Sequence, residues 1–506
     1  MSSTQQNPPH DLAPTGISGL DAIFCGGFPR GHLYLLEGTP GAGKTTLALQ
    51  FLLEGARRGE RCLYVTLSET ERELRAVANS HGWSLDAISL LELVPLEADL
   101  ERQQGMIHPS EVDLGETAGL IQQKVDELRP DRLVIDALTE LRLLAQDPLS
   151  YRRQTLALKQ FFARRETTVL ALDDLTDPQR GLQLHSVVHG VLTLEQRRME
   201  YGVVRRRLSV SKLRGVDFRS GYHDYVIRTG GLTVFESLVA AHHGREFPTE
   251  AVSSELAEVD DLLGGGLRRG TSTLIIGPSG VGKSSLAMRY AMAATGRGER
   301  AAVFAFEESY RTAAERALGL GMGMDAAIDA GLLRWEQVNP AILSPGEFVD
   351  RVKRRVDNCG GNGARLVVID SLNSYIGSMP EEQALTLHLH ELLAYLGNQG
   401  VTTILIMAQH GLVGDTQAPL DISFLADTVI LLRYFEAEGQ VRKAISVLKN
   451  RSGRHETTIR EYRLADGGIS VGSAIREFQG VLTGVPTYVG APGTLSSVID
   501  TTAERD

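Results

Sequence analysis

Short apolar runs alternate with stretches of helical character along this chain, and the same alternation occurs in both halves. In the first half, the predicted strands are Leu33–Leu36, Cys62–Leu67, Arg132–Ile135, Thr168–Leu172 and Val191–Leu194. In the second half, they are Thr273–Ile276, Ala302–Phe306, Leu366–Ile369, Thr403–Met407 and Thr428–Leu432. Strands that alternate with helices predict an α/β fold, with one mostly parallel sheet flanked by helices in each half.

A glycine-rich octet of the form G-x-x-x-x-G-K-[ST] follows the first predicted strand of each half and precedes a helical stretch. The glycines of this motif allow a tight turn whose N–H groups point at a triphosphate, and the lysine neutralises the β- and γ-phosphates. Carboxyl ends of parallel strands are where nucleotides bind in such sheets. The candidate ATP-binding residues are Gly38, Thr39, Pro40, Gly41, Ala42, Gly43, Lys44, Thr45 and Thr46, and then Gly277, Pro278, Ser279, Gly280, Val281, Gly282, Lys283, Ser284 and Ser285.

The segments before the two octets also match each other. Asp21, Gly26, Gly27, Arg30 and Gly31 recur at the same spacing as Asp260, Gly265, Gly266, Arg269 and Gly270. This repetition indicates the duplication of a whole nucleotide-binding domain. The expected domains are 14–235 and 252–478, joined by a polar linker at 236–251. A disordered N-terminus at 1–13 and a C-terminal tail at 479–506 are expected to flank them.

A carboxylate ends a predicted strand in each half, at Asp136 and at Asp370. This is the Walker B arrangement, which holds Mg²⁺ through its water shell. An apolar run that ends in Asp is a weak signal alone, but here it occurs twice, each time downstream of an octet. The sequence therefore predicts two Mg²⁺ sites, each completed by the hydroxyl of Thr45 or Ser284.

The candidate general base lies at the end of the strand that follows each octet and its helix. The two halves differ at this position. Glu307 and Glu308 follow the strand Ala302–Phe306, where one carboxylate can orient or deprotonate an attacking water or hydroxyl. In the first half Ser68 takes the place of Glu307, and only Glu69 remains. Serine cannot serve as a base near neutral pH without help, so the halves are expected to differ in activity.

Two cation pairs lie far downstream, at Lys212 and Arg214 in the first half and at Lys449 and Arg451 in the second. Alternation places both cations of a pair on one face of a strand or turn. Each pair alone could be a surface charge pair. Their recurrence at nearly the same distance from the octet suggests a finger that stabilises the transferring γ-phosphoryl group, commonly from a neighbouring subunit.

Composition limits the class of protein further. The 506 residues are 42% hydrophobic and 23% charged, with a formal net charge of −11. This charge gives no global attraction to nucleic acid, so binding to nucleic acid is not expected. No apolar stretch reaches the roughly 18 residues of a membrane span, and the polar start is a poor export signal, so a cytoplasmic protein is expected.

Taken together, these motifs resemble the KaiC family of RecA-like ATPases across nearly the whole chain. The matching stretches are Gly16 to Asp21, Gly26 to His32, both octets, Glu307 to Ser309, and Asp427 to Leu432 followed by Lys449-Asn450-Arg451. The resemblance implies two tandem RecA-like P-loop NTPase domains in a double-ring homo-hexamer with ATP at subunit interfaces. It also implies ATP hydrolysis in both rings and serine/threonine autophosphorylation in the second ring.

The resemblance also locates a phosphoacceptor. Clock members of the family carry an adjacent Ser-Thr pair just before the strand that here begins at Thr428, and alignment on Asp427 puts Ser423 and Phe424 at these positions. One acceptor survives, so a two-step clock cycle is not expected. Ser68 likewise departs from the clock pattern, and the chain looks closer to bacterial relatives without a clock.

The sequence therefore predicts a Mg-ATP-dependent ATPase with serine autokinase activity that works as a signalling or regulatory oligomer. Two alternatives stay open. One is a DNA-dependent ATPase related to RadA or DnaB, which would need a basic channel or an added DNA-binding element. The other is an ATP-gated scaffold whose first half binds ATP with weak turnover.

Overall fold

The computed structural model of the chain describes residues 11–93, 110–145, 147–175, 184–199, 202–357, 363–377, 385–409, 423–483 and 487–489. Contacts within the chain divide it into two units, Met1–Ser237 and Leu238–Asp506. Most of the N-terminus that was expected to be disordered, residues 1–10, lies outside the described residues, and so do residues 490–506 of the expected tail.

The first unit alternates strands and helices in the order that the apolar runs predict. Its strands are Leu12–Ala13 (β1), Phe28–Pro29 (β2), Leu33–Gly38 (β3), Cys62–Thr66 (β4), Ser89–Glu92 (β5), Arg132–Asp136 (β6), Thr168–Asp174 (β7), Gly190–Arg197 (β8), Arg205–Leu213 (β9), Tyr222–Arg228 (β10) and Gly231–Phe235 (β11). Its helices are Ser18–Ile23 (α1), Lys44–Arg57 (α2), Glu71–Ser80 (α3), Ser110–Leu128 (α4), Leu138–Leu143 (α5) and Pro148–Ala163 (α6).

A nine-stranded sheet in the order β11-β10-β9-β8-β3-β7-β6-β4-β5 is the centre of the described part of this unit. Strands β8, β3, β7, β6, β4 and β5 run parallel, and β9 to β11 extend the sheet in antiparallel pairing. Successive side chains of a strand point to opposite faces. Accordingly, Leu36 of β3 packs in the same cluster as Phe51 of α2, and Leu35 packs with Phe162 of α6. Both faces of the parallel strands are covered by helices.

The second unit repeats this order of elements. Its strands are Ala251–Val252 (β12), Leu267–Arg268 (β13), Ser272–Gly277 (β14), Ala301–Ala305 (β15), Leu333–Gln337 (β16), Leu366–Asp370 (β17), Thr402–Ala408 (β18), Thr428–Ala437 (β19), Gln440–Asn450 (β20), Arg460–Ala465 (β21), Gly468–Ala474 (β22), Phe478–Gln479 (β23) and Thr487–Tyr488 (β24). Its helices are Ala257–Leu262 (α7), Lys283–Gly296 (α8), Tyr310–Gly319 (α9), Met324–Asp329 (α10), Pro345–Val356 (α11), Leu372–Gly377 (α12) and Leu385–Asn398 (α13).

The second sheet has the same topology, in the order β16-β15-β17-β18-β14-β19-β20-β21-β22. The parallel set runs from β16 to β19, and β20 to β22 are antiparallel. Ile276 of β14 packs with Phe348 of α11, whereas Ile275 packs with Leu286 of α8. The predicted fold class is confirmed: the chain folds as two tandem RecA-like α/β domains, each with a mostly parallel sheet flanked by helices.

Two segments outside the predicted domains carry structure of their own. Within the expected linker at 236–251, Leu238 and Ala240 are buried in the core cluster of the second unit. Within the expected tail, Val481 packs in a small cluster with Phe435, and β24 pairs with β23. The predicted domain boundaries stay predictions. Among the described residues, no helix combines the length and apolar character that a membrane crossing requires.

Candidate nucleotide sites at the two phosphate loops

Both glycine-rich octets form turns between a parallel strand and the helix that follows it. Gly43 and Gly282 directly precede α2 and α8 in the left-handed region, at φ of 99° and 114°, a conformation that favours glycine. A Cβ at Gly43 would lie 2.5 Å from Ile227 Cδ1, and one at Gly282 would lie 2.8 Å from Leu464 Cδ1. The loops therefore need glycine at these positions.

The two loop lysines are buried but have different partners. Lys44 Nζ donates hydrogen bonds to Gly38 O at 3.0 Å and to Asp174 Oδ1 at 2.7 Å. Lys283 Nζ donates to Pro278 O at 2.7 Å, and within the described residues it forms no ion pair. Burial lowers the pKa of Lys283, while Asp370 and Glu307 act in the opposite direction. The ammonium groups thus lie at the phosphate loops in both units.

A hydroxyl and a carboxylate meet beneath each loop, as the metal prediction requires. Thr45 Oγ1 donates to Asp136 Oδ2 at 3.2 Å, and the Tyr64 hydroxyl donates to the same oxygen at 2.5 Å. In the second unit, Ser284 and Asp370 line the same cavity, and Ser284 acts to lower the pKa of Asp370. Burial raises the pKa of both carboxyl groups, because the ionised form loses hydration. These hard oxygen donors fit Mg²⁺, which prefers carboxylate and hydroxyl ligands together with water and phosphate.

The second unit has a cavity of about 560 Å³ beside its loop. Its lining joins residues from four strand ends and two helices, and includes Ser279, Lys283, Ser284, Glu307, Glu308, Arg316, Asp370, Ser371 and Ala408. The carboxyl ends of parallel strands converge here, which is where nucleotides bind in sheets of this kind. The residues that the sequence assigns to phosphate, metal and base chemistry in the second unit are therefore brought together.

Glu307 and Glu308 point to different partners within this cavity. Glu307 Oε1 accepts hydrogen bonds from Ser371 Oγ at 2.8 Å and from Ser374 Oγ at 2.5 Å. Glu308 forms an ion pair with Arg316 at 2.6 Å, and Arg316 also donates to Ser285 Oγ at 2.8 Å. Glu307 is therefore oriented by neutral hydroxyls, whereas the charge of Glu308 is balanced by a guanidinium.

The first unit lacks this arrangement. Ser68 stands where the second unit has Glu307, and Ala137 and Glu140 stand at the positions of Ser371 and Ser374 relative to the strand-ending aspartate. Burial, followed by the nearby charge of Asp136, raises the pKa of Glu69. Glu69 Oε2 is buried and has no hydrogen-bond partner in the described part of the chain. The first unit thus has a half-buried carboxyl here, without the hydroxyls that orient Glu307.

The downstream cations lie away from the phosphate loop of their own unit. Strand β9 ends beside Gly190, near the amino-terminal end of β3. Strand β20 ends beside Thr428, near the amino-terminal end of β14. Lys212 Nζ donates to His185 O and Val188 O, whereas Arg214 is exposed. Both pairs therefore lie at the amino-terminal ends of the parallel strands, whereas the phosphate loops lie at the carboxyl ends.

The second copy repeats this pattern next to the candidate phosphoacceptor. Lys449 Nζ donates to Ser423 O at 2.9 Å and to Ala426 O at 2.6 Å, and Arg451 is exposed. Ser423 is half-buried in the turn before β19, and the ring of Phe424 beside it is 53% exposed. Ser423 thus also lies at the amino-terminal ends of the parallel strands, away from the phosphate loop of its own unit.

Four residues near the sites escaped the sequence analysis: Asp174, Arg316, Ser371 and Ser374. Asp174 offered a signal, because two acids end a buried strand at Asp173 and Asp174. Ser371 offered a weaker one, because it directly follows Asp370. Arg316 and Ser374 lie within helices, and their sequence context gives no sign that they contact Glu308 and Glu307.

Comparison with known proteins places these sites in a family. A family model of the KaiC ATPases matches residues 13–239 and again residues 252–475. The chain belongs to the KaiC family of ATPases. The match covers both phosphate loops, so the resemblance inferred from the motifs is confirmed, as is the assignment of the chain as an ATP-binding P-loop ATPase built from a repeat.

Curated relatives of this KaiC-family chain match it almost end to end at low identity. The circadian clock oscillator protein KaiC of Parathermosynechococcus lividus is 27% identical over 489 residues, which cover 94% of this chain and 88% of the relative. The circadian clock protein KaiC3 of Synechocystis sp. is 26% identical, covering 94% of each chain. KaiC2 of the same organism is 27% identical, covering 93% of this chain and 83% of the relative.

Proposed function

We propose that this KaiC-family ATPase binds Mg-ATP at both phosphate loops and turns it over mainly in the second unit. The observation that carries the proposal is the position of Glu307, whose carboxylate is oriented by Ser371 and Ser374 in the cavity that contains Lys283. A carboxylate held in this way can orient or deprotonate a nucleophile. Ser68 in the first unit has no such capacity.

Each residue around the second loop has a proposed part in the chemistry. Lys283 and the loop N–H groups bind the β- and γ-phosphates, and Ser284 with Asp370 holds Mg²⁺, which neutralises phosphate charge when bound. Both hydrogen bonds to Glu307 in the described structure reach Oε1, so Oε2 is the oxygen that accepts a proton. Glu308 acts through Arg316, because this ion pair ties the end of β15 to Ser285 of α8.

Nucleotide stoichiometry tests the binding part of this proposal. Equilibrium dialysis of the full chain with Mg²⁺ and a non-hydrolysable ATP analogue is expected to give two nucleotides per chain. Lys44→Ala and Lys283→Ala are each expected to lower the value to one, because each removes the ammonium of one site. A value of one for the wild-type chain would contradict ATP binding at both loops.

We also propose that the chain assembles with itself as a homo-hexamer and that the distal cations act across its interfaces. Support comes from the location of Arg214 and Arg451. Both are exposed and lie at the amino-terminal ends of the parallel strands, away from the phosphate loop of their own unit. A cation in this position lies away from the phosphate loop of its own unit, so it would act on a γ-phosphate held elsewhere in the assembly. Lys212 and Lys449 bind carbonyls of their own chain, so the arginines are the better candidates for this role.

Serine autokinase activity is the third part of the proposal, with Ser423 as the acceptor. Support comes from family membership and from the position of Ser423 at the same end of the sheet as Arg451. There, the γ-phosphate held by a neighbouring subunit would meet Ser423. Phe424 has no hydroxyl, so at most one phosphate per chain is expected in this turn. A signalling or regulatory role would follow, because a phosphate adds about −1.5 to −2 charges beside Arg451 and Lys449.

One measurement tests assembly and phosphorylation together. Native mass spectrometry of the purified chain with and without Mg-ATP is expected to show a hexamer with ATP, and peptide analysis is expected to show phosphate on Ser423. A strictly monomeric species at micromolar concentration would contradict the hexamer. An unmodified Ser423 during ATP hydrolysis would leave an ATPase without kinase function, and phosphate elsewhere would show that the acceptor was misplaced.

A role of the first unit as an ATP-gated scaffold with weak turnover is favoured by two observations. Lys44 is already ion-paired with Asp174, and Ser68 replaces the oriented glutamate of the second unit. Binding in the first unit would then serve mainly to stabilise the assembly by mass action.

A further inference from the structure

An acidic residue forms an ion pair with the phosphate-loop lysine of the first unit. Asp174 ends β7, directly beside Gly38 of the phosphate loop in the sheet register, and its Oδ1 lies 2.7 Å from Lys44 Nζ. The backbone of Asp174 is anchored, since its N–H donates to Thr139 Oγ1 at 3.2 Å. The backbone that carries the carboxylate is therefore held beside the loop by the sheet and by a side chain of α5.

The second unit provides a natural comparison at the same place in the fold. Ala408 ends β18 and pairs with Gly277 as Asp174 pairs with Gly38. Lys283 consequently has a backbone carbonyl as its hydrogen-bond partner, and its ion-pairing capacity is not taken up by any described residue. Because the register is identical, the difference arises from one side chain and not from the fold.

Charge gives this contact a consequence for ligand binding. The ammonium of a phosphate-loop lysine serves the β- and γ-phosphates, and a carboxylate at hydrogen-bond distance competes with them for it. Asp174 also adds its negative charge to that of the nearby Asp136, whose pKa it helps to raise. An incoming triphosphate therefore meets a lysine that is ion-paired with a carboxylate, whereas the lysine of the second site forms no ion pair with a described residue.

We propose that Asp174 is an affinity-determining residue of the first site, which holds Lys44 and weakens the binding of a nucleoside triphosphate until it is displaced. Displacement is sterically open, because the Asp174 side chain is 34% exposed while that of Lys44 is 10% exposed. The carboxylate can turn towards solvent while the ammonium stays at the loop. The first site is thus weaker than the second and fills at higher nucleotide concentration. This inference rests on the proposed binding of ATP at the first loop.

A different role for Asp174 makes the opposite prediction. If the carboxylate ligated Mg²⁺ beside Asp136, its removal would weaken binding, since a metal ligand would be lost. If it competes for Lys44, its removal strengthens binding. The sign of the change in affinity therefore separates the two roles.

The experiment measures the Kd of a fluorescent, non-hydrolysable N-methylanthraniloyl ATP analogue with Mg²⁺. The full chain carries Lys283→Ala, so that the first site alone is measured. Asp174→Asn is expected to lower the Kd by about three- to tenfold, in line with the loss of one partly exposed ion pair and one repulsive charge. The matched control Asp86→Asn removes a carboxylate that is 84% exposed in the same unit, and is expected to leave the Kd unchanged.

A reciprocal variant keeps the test independent of the folding of one mutant. In a Lys44→Ala chain, Ala408→Asp should raise the Kd of the second site. An unchanged or higher Kd for Asp174→Asn would overturn the inference while leaving the proposed function intact. Absence of binding by the first site, with and without Asp174→Asn, would overturn both the inference and the proposed ATP site there.

Discussion

Glu307 and Glu308 are neighbours in sequence, yet their surroundings assign them different work. Glu307 is held by two serine hydroxyls, and Glu308 is neutralised by Arg316. A base needs a carboxylate whose orientation is fixed without being fully neutralised by a cation. The geometry therefore favours Glu307 as the group that activates the nucleophile, a distinction that the adjacent acids in the sequence do not make.

One of the two serines that orient Glu307, Ser374, is the subject of the first prediction. Ser374→Ala is expected to lower the kcat for ATP hydrolysis by about tenfold, because a lost hydrogen bond to a charged group is worth about 1.5 kcal/mol. The KM should change little, since Ser374 does not belong to the phosphate loop. Steady-state kinetics of the full chain measure both constants. Ser374→Thr keeps the hydroxyl and should retain the kcat, whereas an unchanged kcat in Ser374→Ala would show that this bond does not matter.

Residue-level chemistry was predictable where it depends on local order along the chain. The loop lysines and the strand-ending aspartates are such cases, because a motif of fixed spacing defines them. Asp174, Arg316 and Ser374 were not recognised, since their contacts arise between strands and helices that are distant in sequence. The partner of Lys44 depends on which residue ends β7, and this follows only from the register of β7 against β3.

At the scale of elements, the phosphate loop of the second unit allows a prediction about thermal stability. Gly282→Ala is expected to lower the Tm more than Gly298→Ala does. Both glycines have positive φ, but a Cβ at Gly282 would also lie 2.9 Å from Tyr462 Cε1, whereas one at Gly298 meets nothing within 4 Å. Backbone strain alone should lower the Tm by about 2–4 °C, and the added clash should roughly double this. Thermal unfolding of the full chain measures the difference, and equal shifts would contradict the account.

Most strands of the parallel core were predictable, whereas β5 and β16 at its outer edge and the antiparallel extension were not. All the predicted strands are present, because short apolar runs that are buried on both faces stand out against the helices between them. Strands β5, β16, β9 to β11 and β20 to β22 were missed. Many of their residues are charged or polar and only half-buried, as in Arg205–Leu213, so they lack a continuous apolar run.

The chain contains two copies of one fold, and the residues around their phosphate loops have diverged. The sheets share one topology, and both copies match the KaiC family. The second copy combines an available Lys283 with an oriented Glu307, whereas the first combines an occupied Lys44 with Ser68. This asymmetry favours a division of labour, in which the first unit binds nucleotide to stabilise the assembly and the second unit performs the chemistry.

We infer that ATP turnover belongs to the second unit. This inference is tested most directly by steady-state ATP hydrolysis of the full chain that carries both Glu307→Gln and Glu308→Gln, at a concentration where wild-type and variant chains assemble equally. The account predicts a loss of roughly 10²–10⁴-fold, as expected when acid–base assistance is removed. Retention of more than about half of the wild-type turnover would contradict it and would make the first unit the main ATPase.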